Sequence, residues 1–184
     1  ESEEVNAFAV MGGYVYVTTG LLQAATSGAE VAGVVSHELG HVSARHGVKQ
    51  MEQYMLLNGL AGLLGEKYYG DLVAGAINTV STLTFSKDQE READDLGLQY
   101  ALAAGYNAWG LVDFFEFLDT AYGDGGGGAV GGLIGDIGEL FSTHPPTPER
   151  INTVSSALQE REITRDQTGL DWENAEFQSI RSLL

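Results

Sequence analysis

The stretch VVSHELGHVSARH, residues 34–46, places His37 and His41 four residues apart with Glu38 between them. Apolar Val31, Val34, Val35, Leu39 and Val42 recur around them at helical spacing, which predicts a helix starting near Ser27. Residues three and four apart are neighbours on a helix, so Val34, His37, Glu38 and His41 share one side and both imidazoles can reach one ion. His-Glu-x-x-His on a helix has a mechanism. Two neutral imidazoles hold zinc, and the intervening glutamate takes a proton from the water the metal activates. The competing reading is a buried helix with two satisfied core histidines, and the choice depends on a third ligand.

Composition limits where that ligand can come from. The 184 residues contain no cysteine, so there is no thiolate site, disulfide framework or cysteine nucleophile, and any metal must be held by His, Asp or Glu. The length suits one domain spanning 1–184. A net charge of −17 repels phosphate backbones and argues against nucleic acid as a partner. The longest apolar stretch, MLLNGLAGLLG at 55–65, is shorter than the roughly 18 residues of a transmembrane candidate, which predicts a soluble chain. Because the sequence opens at Glu1 without a methionine or an apolar leader, a trimmed chain or a processed form that has lost its targeting segment is expected.

The remaining elements are read in chain order. AFAVM (7–11) and YVYVTT (14–19) flank Gly12-Gly13 and predict a β-hairpin. Residues 52–85 read as one or two helices with a break near 66–71. A helix is predicted from about Asp88 to Ala104, stopped by Gly105, and another over 109–119. The glycine-dense segment 122–138 reads as a mobile loop. In THPPTPER (143–150) Thr147 can cap and Pro148 suits the first turn of a helix running to about Arg161, and a final helix follows Asp171. The fold class expected is α+β and mainly helical: a zincin-like domain with a small N-terminal sheet beside the zinc helix. There is no internal repeat.

A metzincin would need Gly and His three and six residues after His41, where Ala44 and Gly47 stand. His46 is off by one position and is expected as an exposed helix residue, with a supporting role behind a ligand as the alternative. A carboxylate from a second helix is the other known solution, and DQEREADD (88–95) offers several. Helical phase puts Glu90, Ala93, Asp94, Gly97 and Ala101 on one stripe, and Glu92, Asp95 and Gln99 on the polar side as a solvated charge run. The small residues of the stripe allow close helix packing. Two buried carboxylates would be satisfied if one held the metal and the other accepted a hydrogen bond from a ligating imidazole.

HELGH, EREAD and THPPTPERI, preceded by NAFAVMGGYVYVTTGLL, resemble the zinc metallopeptidase family of the HtpX heat-shock protease and the CAAX prenyl endopeptidases. The resemblance runs from Val5 to Ile151. It implies a gluzincin endopeptidase with one zinc per chain, held by His37, His41 and Glu90. Glu38 would be the general base and Asp94 would support the site from behind the ligands. It further implies that Tyr14, Val15, Tyr16 and Val17 form a strand beside the cleft where a peptide can add itself. His144, on a loop stiffened by Pro145-Pro146, would approach the zinc as a fourth ligand or polarise the carbonyl, and Arg150 would lie with the substrate or pair with an acidic group. Without membrane helices the chain resembles the periplasmic branch, some of whose members attach to the outer membrane. The expected substrates are unfolded or misassembled polypeptides. The alternative function is a chaperone-like binding module with an occluded zinc site. Oligomeric state is not readable from the residues.

Overall fold

A computed structural model describes residues 3–10, 12–62, 84–122, 140, 143–173 and 175–184. The break expected near 66–71 and the glycine-dense segment fall almost wholly outside those residues. The observed class is α+β and mainly helical. Strands β1 (Ala7–Val10) and β2 (Tyr14–Val17) pair antiparallel, with Ala7 opposite Val17 and Ala9 opposite Val15. Gly12 and Gly13 both take positive φ at the turn, which glycine adopts without strain.

The second strand is shorter than predicted because Thr18 leaves it to cap helix α1 (Thr19–Ala24). Its hydroxyl oxygen accepts from the Leu21 N–H at 3.2 Å and from the Asn6 N–H at 3.0 Å, and its backbone N–H donates to the Asn6 carbonyl. One side chain therefore ends the hairpin and starts the helix.

Helix α2 (Gly28–Ser43) carries the His-Glu-x-x-His motif and starts where predicted, with the Ser27 side chain accepting from the Glu30 N–H. Two further helices pack on it: α4 (Lys87–Ala103), which follows α3 (His46–Gly62), and α5 (Trp109–Tyr122). A methyl group at Gly40 would stand 2.6 Å from the Ala93 carbonyl oxygen, and one at Gly97 only 3.0 Å from the His37 backbone nitrogen. Small residues on both helices thus let α2 and α4 approach closely enough to share a site. Helix α6 (Pro148–Glu160) is capped by Thr147 with Pro148 in its first turn, and α7 (Ala175–Arg181) closes the chain.

The apolar interior forms two clusters on either side of α5. Val5, Leu21, Val34, Phe114 and Leu118 join the hairpin end to α2, whereas Leu98, Leu111, Phe115, Val154 and Leu158 join α4 to α6. No helix among the described residues is long and apolar enough to cross a membrane.

Candidate metal centre

His37, Glu38 and His41 are all buried on the inner side of α2, and Glu90 and Asp94 are buried opposite them on α4. The stripe of small residues therefore gave the phase of α4 correctly. His144 comes from the turn before α6 and is buried in the same place. Four potential metal-ligand atoms, one each from His37, His41, Glu90 and His144, lie within 4.8 Å of one another.

Their spacing can be compared with what a metal requires. His37 Nε2 is 3.0 Å from His41 Nε2 and 3.3 Å from His144 Nδ1. Glu90 Oε1 is 3.0 Å from His144 Nδ1 and 3.4 Å from His41 Nε2. Four donors each about 2.0–2.1 Å from a tetrahedral zinc would be about 3.3 Å apart. The residues fit that ion, and nitrogen with carboxylate oxygen is the donor set it accepts.

The surroundings orient the donors. His37 Nδ1 lies 2.9 Å from Asp94 Oδ1, which puts a carboxylate on the side of the ring away from the other donors and turns Nε2 toward them. Arg150 binds Asp94 with Nε 2.9 Å from Oδ2 and Nη2 2.7 Å from Oδ1, and its Nη1 is 2.7 Å from Glu90 Oε2. It also donates to the Pro145 carbonyl at 3.1 Å and stacks 4.5 Å over the Phe115 ring. Expected at the substrate, Arg150 is instead buried, and its guanidinium is committed to two carboxylates and a carbonyl. The alternative of an acidic pairing is the one the geometry supports.

Charge states follow from these contacts. Burial pushes His41 down to about 3, against the opposing pull of the nearby Glu90, so this imidazole is neutral. Burial would raise Glu90, but the adjoining His144 and His41 rings overcome it and hold the carboxyl well below its usual range. Asp94 is likewise lowered despite burial, through His37 and the Arg150 charge. Burial also opposes charge on His144, but the neighbouring Glu38 and Glu90 outweigh it and raise the imidazole.

Glu38 differs from the other carboxylates. Its Oε2 accepts from the Ala9 N–H at 3.0 Å, and its Oε1 faces His144 Nε2 at 3.5 Å without a hydrogen bond among the described residues. Because the Ala9 N–H points to Glu38 and not across the hairpin, the strand edge that meets the site is that of β1. In β2, Tyr14 and Tyr16 are exposed, with Tyr16 stacked on Phe8 at 5.2 Å, and Val15 and Val17 are half-buried. Beside His37, Glu38 and His144, a cavity of about 10 Å³ is walled by Val34, Leu111, Phe114 and Leu118.

His46 is the residue that sequence reasoning misplaced. It is fully buried, not exposed, with Nδ1 2.9 Å from His41 Nδ1 and Nε2 3.2 Å from Glu92 Oε2. The helix does not run through it. Ala44 caps α2, Arg45 takes φ +58°, and α3 begins at His46. Five residues along an unbroken helix would put His46 about 140° away from His41; the left-handed residue folds it back.

The model of peptidase family M48 matches residues 1–158. The chain belongs to this family of zinc metallopeptidases. It is 33% identical over 167 residues to metalloprotease YcaL of Escherichia coli K12, covering 85% of this chain and 59% of that protein. It is 33% identical over 178 residues to mitochondrial metalloendopeptidase OMA1 of Arabidopsis thaliana, covering 91% and 34%. With the β-barrel assembly-enhancing protease of E. coli K12 it shares 30% identity over 133 residues, covering 65% and 27%. The chain thus spans about three fifths or less of the length of each of these relatives.

Proposed function

We propose that this chain is the catalytic domain of a zinc-dependent endopeptidase, with His37, His41 and Glu90 as ligands and Glu38 as general base. The observation that carries the reading is the convergence of four buried donor atoms within 4.8 Å of one another, with the free oxygen of Glu38 beside them. A zinc ion bound there supplies Lewis-acid polarisation of a carbonyl and lowers the pKa of a water molecule. The Ala9 N–H fixes one Glu38 oxygen, which leaves the other to take the proton of that water and pass it to the leaving amine. Asp94 holds the ring of His37, and Arg150 holds Asp94 and Glu90, so the ligand geometry is set before metal arrives.

A substrate strand pairs along the outer edge of β1, the edge that reaches Glu38, in place of the Tyr14–Val17 strand that the family resemblance suggested. Extended backbone is available in unfolded or misassembled polypeptides, and these are the substrates. The naming of a relative for β-barrel assembly supports work on envelope proteins and a periplasmic location, with peripheral outer-membrane attachment. His144 Nδ1 stands among the other donors and would serve as a fourth ligand, in which case the resting enzyme would be latent until His144 moved away. The same observation supports a second reading, a chaperone-like module that binds chains and seldom cuts them.

Metal analysis and cleavage of an unfolded protein test the reading together. One zinc per chain is expected, with cleavage abolished by Glu38→Gln and zinc content kept. Protein purified without chelator that contains no zinc would refute it, and hydrolysis undiminished by Glu38→Gln would remove the assigned base.

A further inference from the structure

We infer that His46 and Glu92 form an outer relay that fixes which nitrogen of His41 faces the metal, a positioning role that rests on the zinc reading above. The protons that each group can hold fix the arrangement. A neutral imidazole has one N–H and one bare nitrogen, and an ionised carboxylate can only accept. Glu92 Oε2 lies 3.2 Å from His46 Nε2, so the His46 proton is on Nε2 and its Nδ1 is bare. His41 Nδ1, 2.9 Å away, must then donate to it, which leaves the lone pair of His41 on Nε2. Nε2 is the atom that faces His37 and Glu90.

His37 has a carboxylate of its own on that side, with Asp94 Oδ1 2.9 Å from its Nδ1. No carboxylate stands at that distance from His41 Nδ1 among the described contacts, and His46 fills the gap between it and the acidic side of α4. The placement depends on the chain reversal at Arg45, which brings the two rings to 4.9 Å between centroids at 71°. Metal-binding imidazoles are commonly held this way, and loss of such a partner costs about 10- to 100-fold in metal affinity. Glu92 is therefore part of the site although its side chain is 53% exposed.

Substitutions at Glu92 test the relay, because a half-exposed helix position tolerates them. Glu92→Gln keeps an acceptor and should bind zinc nearly as tightly as the unaltered protein. Glu92→Ala removes the acceptor and should weaken zinc binding about tenfold in a chelator competition. Glu92→Lys presents donors to His46 Nε2, reverses the arrangement and should weaken binding further. Nitrogen-15 NMR of the metal-free protein should find His41 protonated at Nδ1 in the unaltered and Gln forms, and a mixture of tautomers in the Ala form. The melting temperature of the metal-free protein should be alike in all four. Equal zinc affinity across the set would overturn the relay, and so would Glu92→Gln losing as much as Glu92→Ala, since charge and not hydrogen bonding would then be at work. The tautomer measurement needs no metal. A protein that binds no zinc would refute the endopeptidase reading while the spectrum still decides the relay.

Discussion

Arg150 and Asp94 form a buried two-point ion pair behind the metal centre, with donor–acceptor distances of 2.9 and 2.7 Å. Both side chains are sealed from solvent, so removing either leaves an uncompensated charge in the interior. Breaking such a pair costs about 3–5 kcal/mol. Asp94→Ala should lower the unfolding free energy of the metal-free protein by that order in urea denaturation. It should also weaken zinc binding, because the His37 ring loses the carboxylate 2.9 Å from its Nδ1. A variant with full stability would show that Arg150 finds another anion, with Glu90 the nearest at 2.7 Å.

Glu90 and Glu92 are separated by about 200° around α4, at 3.6 residues per turn. Glu90→Gln should reduce zinc affinity by more than the about 10- to 100-fold typical of an outer partner, since it alters a donor atom itself. Glu92→Gln should not. Isothermal titration of zinc into the two metal-free variants makes the comparison, and matched losses would refute the assignment of Glu90 as ligand.

Close packing of α2 on α4 is as necessary as the ligands. An added methyl at Gly40 would sit 2.6 Å from the Ala93 carbonyl oxygen and 3.0 Å from its Cα, both backbone atoms that cannot step aside. Gly40→Ala should destabilise the protein by about 1–3 kcal/mol, the usual cost of overpacking. It should weaken zinc binding as well, by moving Glu90 away from the two histidines. Leu39→Ala, one residue earlier at a partly exposed position, serves as the control and should change neither.

The start of the helix that carries the motif was legible, because a serine cap and a regular apolar period left little choice for it, but its end at Ser43 was not. The phase of α4 was legible too, since small residues on one side and charges on the other can pack in only one sense. His46 was not. Its burial depends on a chain reversal at Arg45, and an arginine carries no signal for a left-handed residue, unlike the glycines that marked the hairpin turn. A histidine just past the motif, where the apolar period of the zinc helix lapses, was the available clue. Arg150 was legible only as two alternatives, because the sequence shows its charge but not that three residues converge on it.

That reversal at Arg45 makes its own prediction. A non-glycine residue at φ +58° carries a conformational cost of roughly 1–2 kcal/mol that glycine escapes. Arg45→Gly should keep or modestly raise the melting temperature, with part of the gain offset by the greater freedom of the unfolded chain. Arg45→Val, with a branched Cβ, should lower it. If Val is as stable as Gly, the bend at 44–46 is not the strained left-handed turn described.

His144 bears on whether the enzyme rests in a blocked state. Its Nδ1 stands 3.3 Å from His37 Nε2 and 3.0 Å from Glu90 Oε1, within the ring of donors and not at its margin. Its Nε2 faces Glu38 Oε1, where the proton of an activated water should go. If this imidazole took the position that a catalytic zinc site keeps open for water, Glu38 would have nothing to deprotonate. Pro145 and Pro146 restrict the backbone just after the histidine, so withdrawal must carry the whole turn and not the side chain alone. His144→Ala should therefore raise the rate at which an unfolded protein is cleaved, while zinc affinity falls because one donor is lost. The measurement compares initial rates of the two proteins at equal zinc occupancy. A fall in rate would instead assign the imidazole to the developing oxyanion, and unchanged rates would remove it from the reaction.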